Sequence, residues 1–255
     1  AGVYLRNTTN LWFTNNLLEQ RHVEHQQLKR ARFSDNIFSG PSRFGIVMLA
    51  VDGSSCELLT IEDNIFDGMK TTAIGIWDPN SGSARIRDVK IRNNQIVCPT
   101  VTAMPPISIG QARGKPSTES VWENITIAGN SVHFTGVATT SHIIAVGGAR
   151  TKSSYTGFVI RDNDVTGGGG KRSGILLQGL TDALVTGNSV AEVAVGIVLG
   201  RGSKRCLVVD NRVSTISDTG YRLGDTAGEN VMVGNHCVGK IPVPYDFERK
   251  QANDR

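Results

Sequence analysis

The sequence predicts an all-β chain wound as a right-handed, single-stranded parallel β-helix of about nine to ten coils, with an internal Asn ladder. Three observations predict it. The first is a segment of the form apolar, any, any, Asn, any, apolar. It recurs around Asn16, Asn36, Asn64, Asn94, Asn130, Asn163, Asn188, Asn211 and Asn235, at steps of 20, 28, 30, 36, 33, 25, 23 and 24 residues. Fixed segments joined by loops of variable length mark a solenoid. The second is the residue before each of these asparagines: Asn15, Asp35, Asp63, Asn93, Gly129, Asp162, Gly187, Asp210 and Gly234. All are Asn, Asp or Gly, the types that tolerate a left-handed backbone. The third is a string such as Gly45-Ile46-Val47-Met48 or Gly174-Ile175-Leu176-Leu177 that follows each segment by roughly ten residues and supplies a third strand per coil.

Each element then has its reason. Five residues before the Asn stand Leu11, Ala31, Leu59, Val89, Ile125, Phe158, Ala183, Cys206 and Asn230, mostly apolar and directed inward. Trp12, Arg32, Thr60, Lys90 and Thr126 lie between the apolar columns and point outward, the period-2 alternation of a strand. Asn side chains stacked from coil to coil satisfy amides whose burial would otherwise be costly. The polar run Glu19 to Lys29 is open to a short helix, but a 20-residue step suits a compact coil with Val23 and Leu28 inward. At about 4.8 Å per coil the rod is roughly 40–45 Å long.

The repeat argues for one solenoid over residues 1–240, followed by a C-terminal tail or cap at 241–255 in which Pro242 and Pro244 interrupt strand pairing. Gly2-Val3-Tyr4-Leu5 looks like a coil already under way, so an N-terminal cap and any targeting signal are expected upstream. No apolar run is long enough to span a membrane. Four scattered cysteines, Cys56, Cys98, Cys206 and Cys237, read as free thiols rather than disulfides. Net charge is +4 with pI near 9.0, and the basic residues bunch in loops, which suits an acidic polymer.

These coils resemble the parallel β-helix class that shares a "GIxL…IxxNxI" repeat: pectate-lyase-like enzymes, alginate epimerases, inulin fructotransferases and phage tailspikes. The resemblance implies a carbohydrate-active protein that binds and processes an acidic extracellular polysaccharide by lyase, epimerase or hydrolase chemistry. The alternative is a non-catalytic shaft of a tailspike, fibre or adhesin. Either context implies a secreted, cell-surface or virion-associated protein.

Two constellations could carry chemistry. Alignment of the third strands puts Asp52 and Asp78 on adjacent coils roughly 5–9 Å apart, a separation suited to paired carboxylates in glycoside hydrolysis, with Trp77 placed to stack on a sugar. The rival set is basic. His142, Lys152 and Tyr155 supply candidate bases, and Gln111, Arg113, Lys115, Arg150, Lys171 and Arg172 candidate substrate contacts, for elimination or epimerisation of a uronate. No cofactor or metal is expected. His22 and His25 fall on opposite faces of a strand, and Asp162 and Asp164 flanking Asn163 do not resemble a calcium site. Gly167 to Gly170 lacks the following helix of a phosphate loop. Interleaved aromatics for nucleic acid are missing too. In the last coils the outward positions turn apolar, as Leu184, Leu207, Val209, Val231 and Val233, which predicts a homotrimer contact or cover by another segment.

Overall fold

A computed structural model describes residues 2–50, 55–78, 83–99, 104–110, 119–135, 142–148, 152–167, 173–224 and 228–247. Its elements are all strands, and every strand pairing among them is parallel and links one coil to the next. The chain is a parallel β-helix.

Three faces form each coil. The ladder face comprises nine short strands that directly follow the ladder asparagines, from Leu17–Glu19 to His236–Val238. The long-strand face precedes each Asn, as in Ser55–Glu62, Arg85–Arg92 and Val121–Ala128. The third face carries the Gly-Ile strands, whose register runs Val23, Ile46, Ile74, Ile107, Ile144, Ile175, Ile197 and Tyr221. The glycine that opens these strands makes room for the ladder face: a Cβ on Gly196 would come within 2.7 Å of Val213 Cγ1.

The polar run Glu19 to Lys29 is not helical. Val23–Ser34 is one strand with Val23 and Leu28 buried, so the compact-coil alternative holds. His25 is inward as well, and neither ring nitrogen finds a hydrogen-bond partner.

All nine residues that precede a ladder Asn have φ between 53° and 65°. This corner turns each Asn side chain inward. Each amide Nδ2 donates to Oδ1 of the next Asn, at 2.8–2.9 Å in all eight steps from Asn16 to Asn235. The same Oδ1 also accepts the preceding ladder backbone N–H, as in Asn94 N to Asn130 Oδ1 at 3.0 Å. A second proton on Nδ2 reaches a carbonyl one coil back, as in Asn130 to Ile91 O at 3.0 Å. Seven of the nine asparagines are buried, from Asn36 to Asn211.

A second left-handed column lies six residues before each Asn: Asn10, Arg30, Leu58, Asp88, Asn124, Gly157, Asp182, Arg205 and Glu229. The sequence does not announce it, because Arg, Leu and Glu have no preference for positive φ. Stacking of each corner on the one below imposes the conformation.

The strand pattern does not stop after Gly239 as expected. Val243–Phe247 stacks in register on Thr219–Leu223 as a further rung. Val243 N donates back to Asp218 O at 3.1 Å. Alternate residues of a strand point opposite ways, so the missing N–H of Pro244 falls on the outer edge, where proline is tolerated. All four cysteines are free. Burial, then the charge of Glu57, pushes the Cys56 thiol up to about 12, which makes it a packing residue rather than a nucleophile.

Candidate functional site

The long-strand face carries an open cleft of about 460 Å³ that crosses four coils. Its lining comes from two rows. The corner row contributes Leu58, Asp88, Asn124 and Gly157, and the outward row two residues further contributes Thr60, Lys90, Thr126 and Val159. The strand register joins Thr60 to Lys90, Lys90 to Thr126 and Thr126 to Val159, so the cleft runs along the rod axis, across the strands. Its depth follows from the backbone. Each left-handed corner bends the long strand, and the outward residue beyond it rises from the floor.

Electrostatics single out one residue. The long strands of these four coils carry five cations, Arg85, Arg87, Lys90, Arg92 and Arg161. Arg85 meets Glu123 at 3.1 Å, Arg87 meets Glu57 at 2.9 Å, and Arg161 meets Asp162 at 2.6 Å. Arg92 pairs with Glu62, which also receives Arg32 at 2.7 Å and is only 3% exposed along its side chain. Lys90 is exposed and has no ion pair or side-chain hydrogen bond among the described residues. The one carboxylate lining the cleft is Asp88, held by Asn124 Nδ2 at 3.3 Å. The arrangement can bind an anion at Lys90 and offer hydroxyl, amide and carboxylate partners on either side.

The residues singled out from the sequence fall elsewhere. Asp52, Gln111, Arg113, Lys115, Arg150, Lys171 and Arg172 lie outside the described residues. Asp78 is fully buried and accepts a hydrogen bond from Ser120 Oγ, which itself receives Ala84 N at 3.1 Å, so the carboxylate is engaged inside the rod. Trp77 is 6% exposed: its indole lies over Gly75, donates to Ser108 Oγ at 3.0 Å and meets Phe44 edge-on at 5.5 Å. It therefore offers no open ring face to a sugar. Tyr155 is buried and stacks on Trp122 at 5.7 Å, which corrects its place among surface bases. A signal for this was present. Eight residues before the ladder Asn stand Leu28, Cys56, Ile86, Trp122, Tyr155 and Leu180, an inward column. His142 is half-buried two residues before a third-face strand, and Lys152 makes an exposed pair with Glu119 at 3.4 Å. Among the described residues no three His, Cys, Asp or Glu are grouped to hold a metal ion. None of the described residues forms a helix long and apolar enough to cross a membrane.

No protein-family model matches the chain, and neither does any curated protein. Two solved structures are similar. One is the A-module of mannuronan C-5 epimerase AlgE4 from Azotobacter vinelandii, 12% identical over 98% of this chain and 91% of that one, with a TM-score of 0.26. The other is the A-module of mannuronan C-5 epimerase AlgE6 from the same organism, 12% identical over 97% and 89%, with a TM-score of 0.28. The β-helix assignment rests on the strand pairings and the ladder, which stand without these likenesses.

Proposed function

We propose that this chain is a carbohydrate-active β-helix protein that lays a linear acidic polysaccharide along the axial cleft. The unpaired ammonium of Lys90 at the centre of that cleft carries the reading. A repeating carboxylate would find its counter-charge there, while Thr60, Thr126 and Asn124 would bond sugar hydroxyls from the coils on either side. An extended polymer suits the site, because successive coils present equivalent positions about 4.8 Å apart. Such a substrate places the protein outside the cell, on a surface or on a virion.

Elimination or epimerisation fits this pair of charges better than hydrolysis. Lys90 would neutralise the uronate carboxylate and so stabilise negative charge developing at C5. Asp88 would accept the C5 proton. In elimination the released electron pair forms the C4–C5 double bond as the C4–O bond breaks, and the leaving oxygen takes a proton from water. In epimerisation the C4–O bond stays intact and water on the opposite face returns a proton to the C5 carbanion, the hydroxide so formed being neutralised by the proton held on Asp88. Hydrolysis through Asp52 and Asp78 is disfavoured, because Asp78 is fully buried.

Calorimetric titration with polyuronates, paired with ultraviolet detection of unsaturated product and NMR of epimer content, tests this. Lys90→Ala should weaken binding about tenfold or more, the worth of a charge-assisted hydrogen bond. Asp88→Asn keeps a residue that tolerates its φ of 56° and should bind normally but form no product. A wild-type chain that binds no polyuronate would overturn the reading.

A second reading, a non-catalytic shaft, has one observation in its favour. The outward row that forms the cleft continues as Val159, Leu184, Leu207 and Val231, with Val209 and Val233 beside it. Val231 and Val233 are 52% and 54% exposed. Contiguous apolar side chains on an outer face suit packing against two symmetry mates. Light scattering should then give a trimer that Val231→Lys with Val233→Lys converts to monomers. A wild-type monomer at high concentration would end the shaft reading.

A further inference from the structure

The cleft row also continues in the other direction. Thr60 pairs in register with Arg32, and Arg32 with Trp12. We propose that Trp12 is an aromatic subsite for the same acidic polysaccharide, a stacking platform beyond the cleft and on its axis. The inference rests on the function proposed for the cleft and deepens it: the bound segment spans six coils rather than four.

Trp12 differs from the other two tryptophans of the chain. Trp77 and Trp122 are 6% and 0% exposed, whereas Trp12 is 64% exposed. Among the described residues no aromatic ring stacks on it and no guanidinium covers it. The nearest cation in its row, Arg32, is turned to Glu62 at 2.7 Å. Its indole thus presents apolar area to solvent beside the polar and charged stretch Arg32, Thr60, Lys90 and Thr126. A pyranose ring has one face of C–H groups that matches an indole, and its hydroxyls project from the rim toward flanking polar groups. Thr14 and Asn10 supply such groups on the same strand. A rigid aromatic offers large contact area at little entropic cost. From Trp12 to Lys90 is three coil steps, roughly 14 Å. A short oligosaccharide held at Lys90 therefore stops before Trp12, whereas a longer one reaches it.

Length dependence is the test. With Trp77 and Trp122 buried, acrylamide quenching of tryptophan fluorescence reports Trp12. Oligouronates of increasing length are titrated against the full chain, with calorimetry on the same samples. The proposal expects short oligomers to bind without protecting Trp12. Longer ones should bind more tightly, cut acrylamide quenching and shift the emission to the blue. Trp12→Ala should weaken long-oligomer binding roughly three- to tenfold and leave short-oligomer binding unchanged. A folding defect would weaken both, so the short oligomer guards against that outcome. Long oligomers that bind while Trp12 stays fully quenchable would overturn the subsite and leave the cleft reading intact. No binding at any length would overturn the cleft reading itself.

Discussion

Asn130→Ala lowers the unfolding free energy by about 3–5 kcal/mol, as much as truncating a large side chain of the core. Asn130 Oδ1 accepts both Asn94 N and Asn94 Nδ2, at 3.0 and 2.9 Å. Its Nδ2 donates to Asn163 Oδ1 at 2.9 Å and to Ile91 O at 3.0 Å. Alanine leaves the buried Asn94 N–H without its acceptor and removes the amide bonds to Ile91 O and Asn163 Oδ1, and each loss costs about 1–3 kcal/mol. The neighbouring amides also lose the mutual polarisation of a continuous chain of bonds. Asn16→Ala is the comparison. Asn16 is only half-buried and stands at the end of the ladder, so its loss costs about 1 kcal/mol. Urea unfolding of both variants, with slopes compared so that a change in cooperativity is not mistaken for stability, decides the matter. Equal losses at the two positions would show that the ladder is not a cooperative interior element.

Acid weakens this protein through His25. Burial holds its pKa at about 4, below the ordinary 6.5, and no carboxylate offsets the effect. The ring sits in the inward column between Leu5 and Met48 and meets Phe33 edge-on at 5.6 Å. The unfolded chain binds a proton at higher pH than the folded one. Stability is therefore complete above pH 6.5 and falls as pH drops toward 4, below which the loss levels off. A shift of that size corresponds to about 3 kcal/mol. His25→Leu matches the column and leaves no unpartnered nitrogen, so its stability advantage over the wild type should widen by about that amount between pH 7 and pH 4. Parallel stability curves for the two proteins would refute the assignment. The other ionisable groups are common to both proteins and cancel in the comparison.

The corners were legible because left-handed backbone selects its residues. Asn15, Asp35 and Gly129 could be recognised by type alone, and the structure gives all nine such positions positive φ. The second corner column was not legible, since Leu58 and Arg205 adopt φ of 55° and 51° only because the rungs above and below demand it. Trp77 shows a different failure. Its outward place in the strand alternation was readable. That its ring would fold flat over Gly75 and bond to Ser108 depended on a residue 31 positions away.

The cleft itself brings Thr60, Lys90, Thr126 and Val159 into one row from segments 30, 36 and 33 residues apart. The outward direction of each was fixed by strand parity. Their adjacency was fixed by coil register, and the freedom of Lys90 by which arginines found carboxylates first.

By itself the sequence determined the solenoid, its three faces and its ladder, because period, corner chemistry and apolar columns are local properties repeated nine times over. Only the tertiary structure decided which charges remain unpaired and which aromatics stay exposed. Those outcomes depend on contacts between coils, and loops of unequal length set which residues meet.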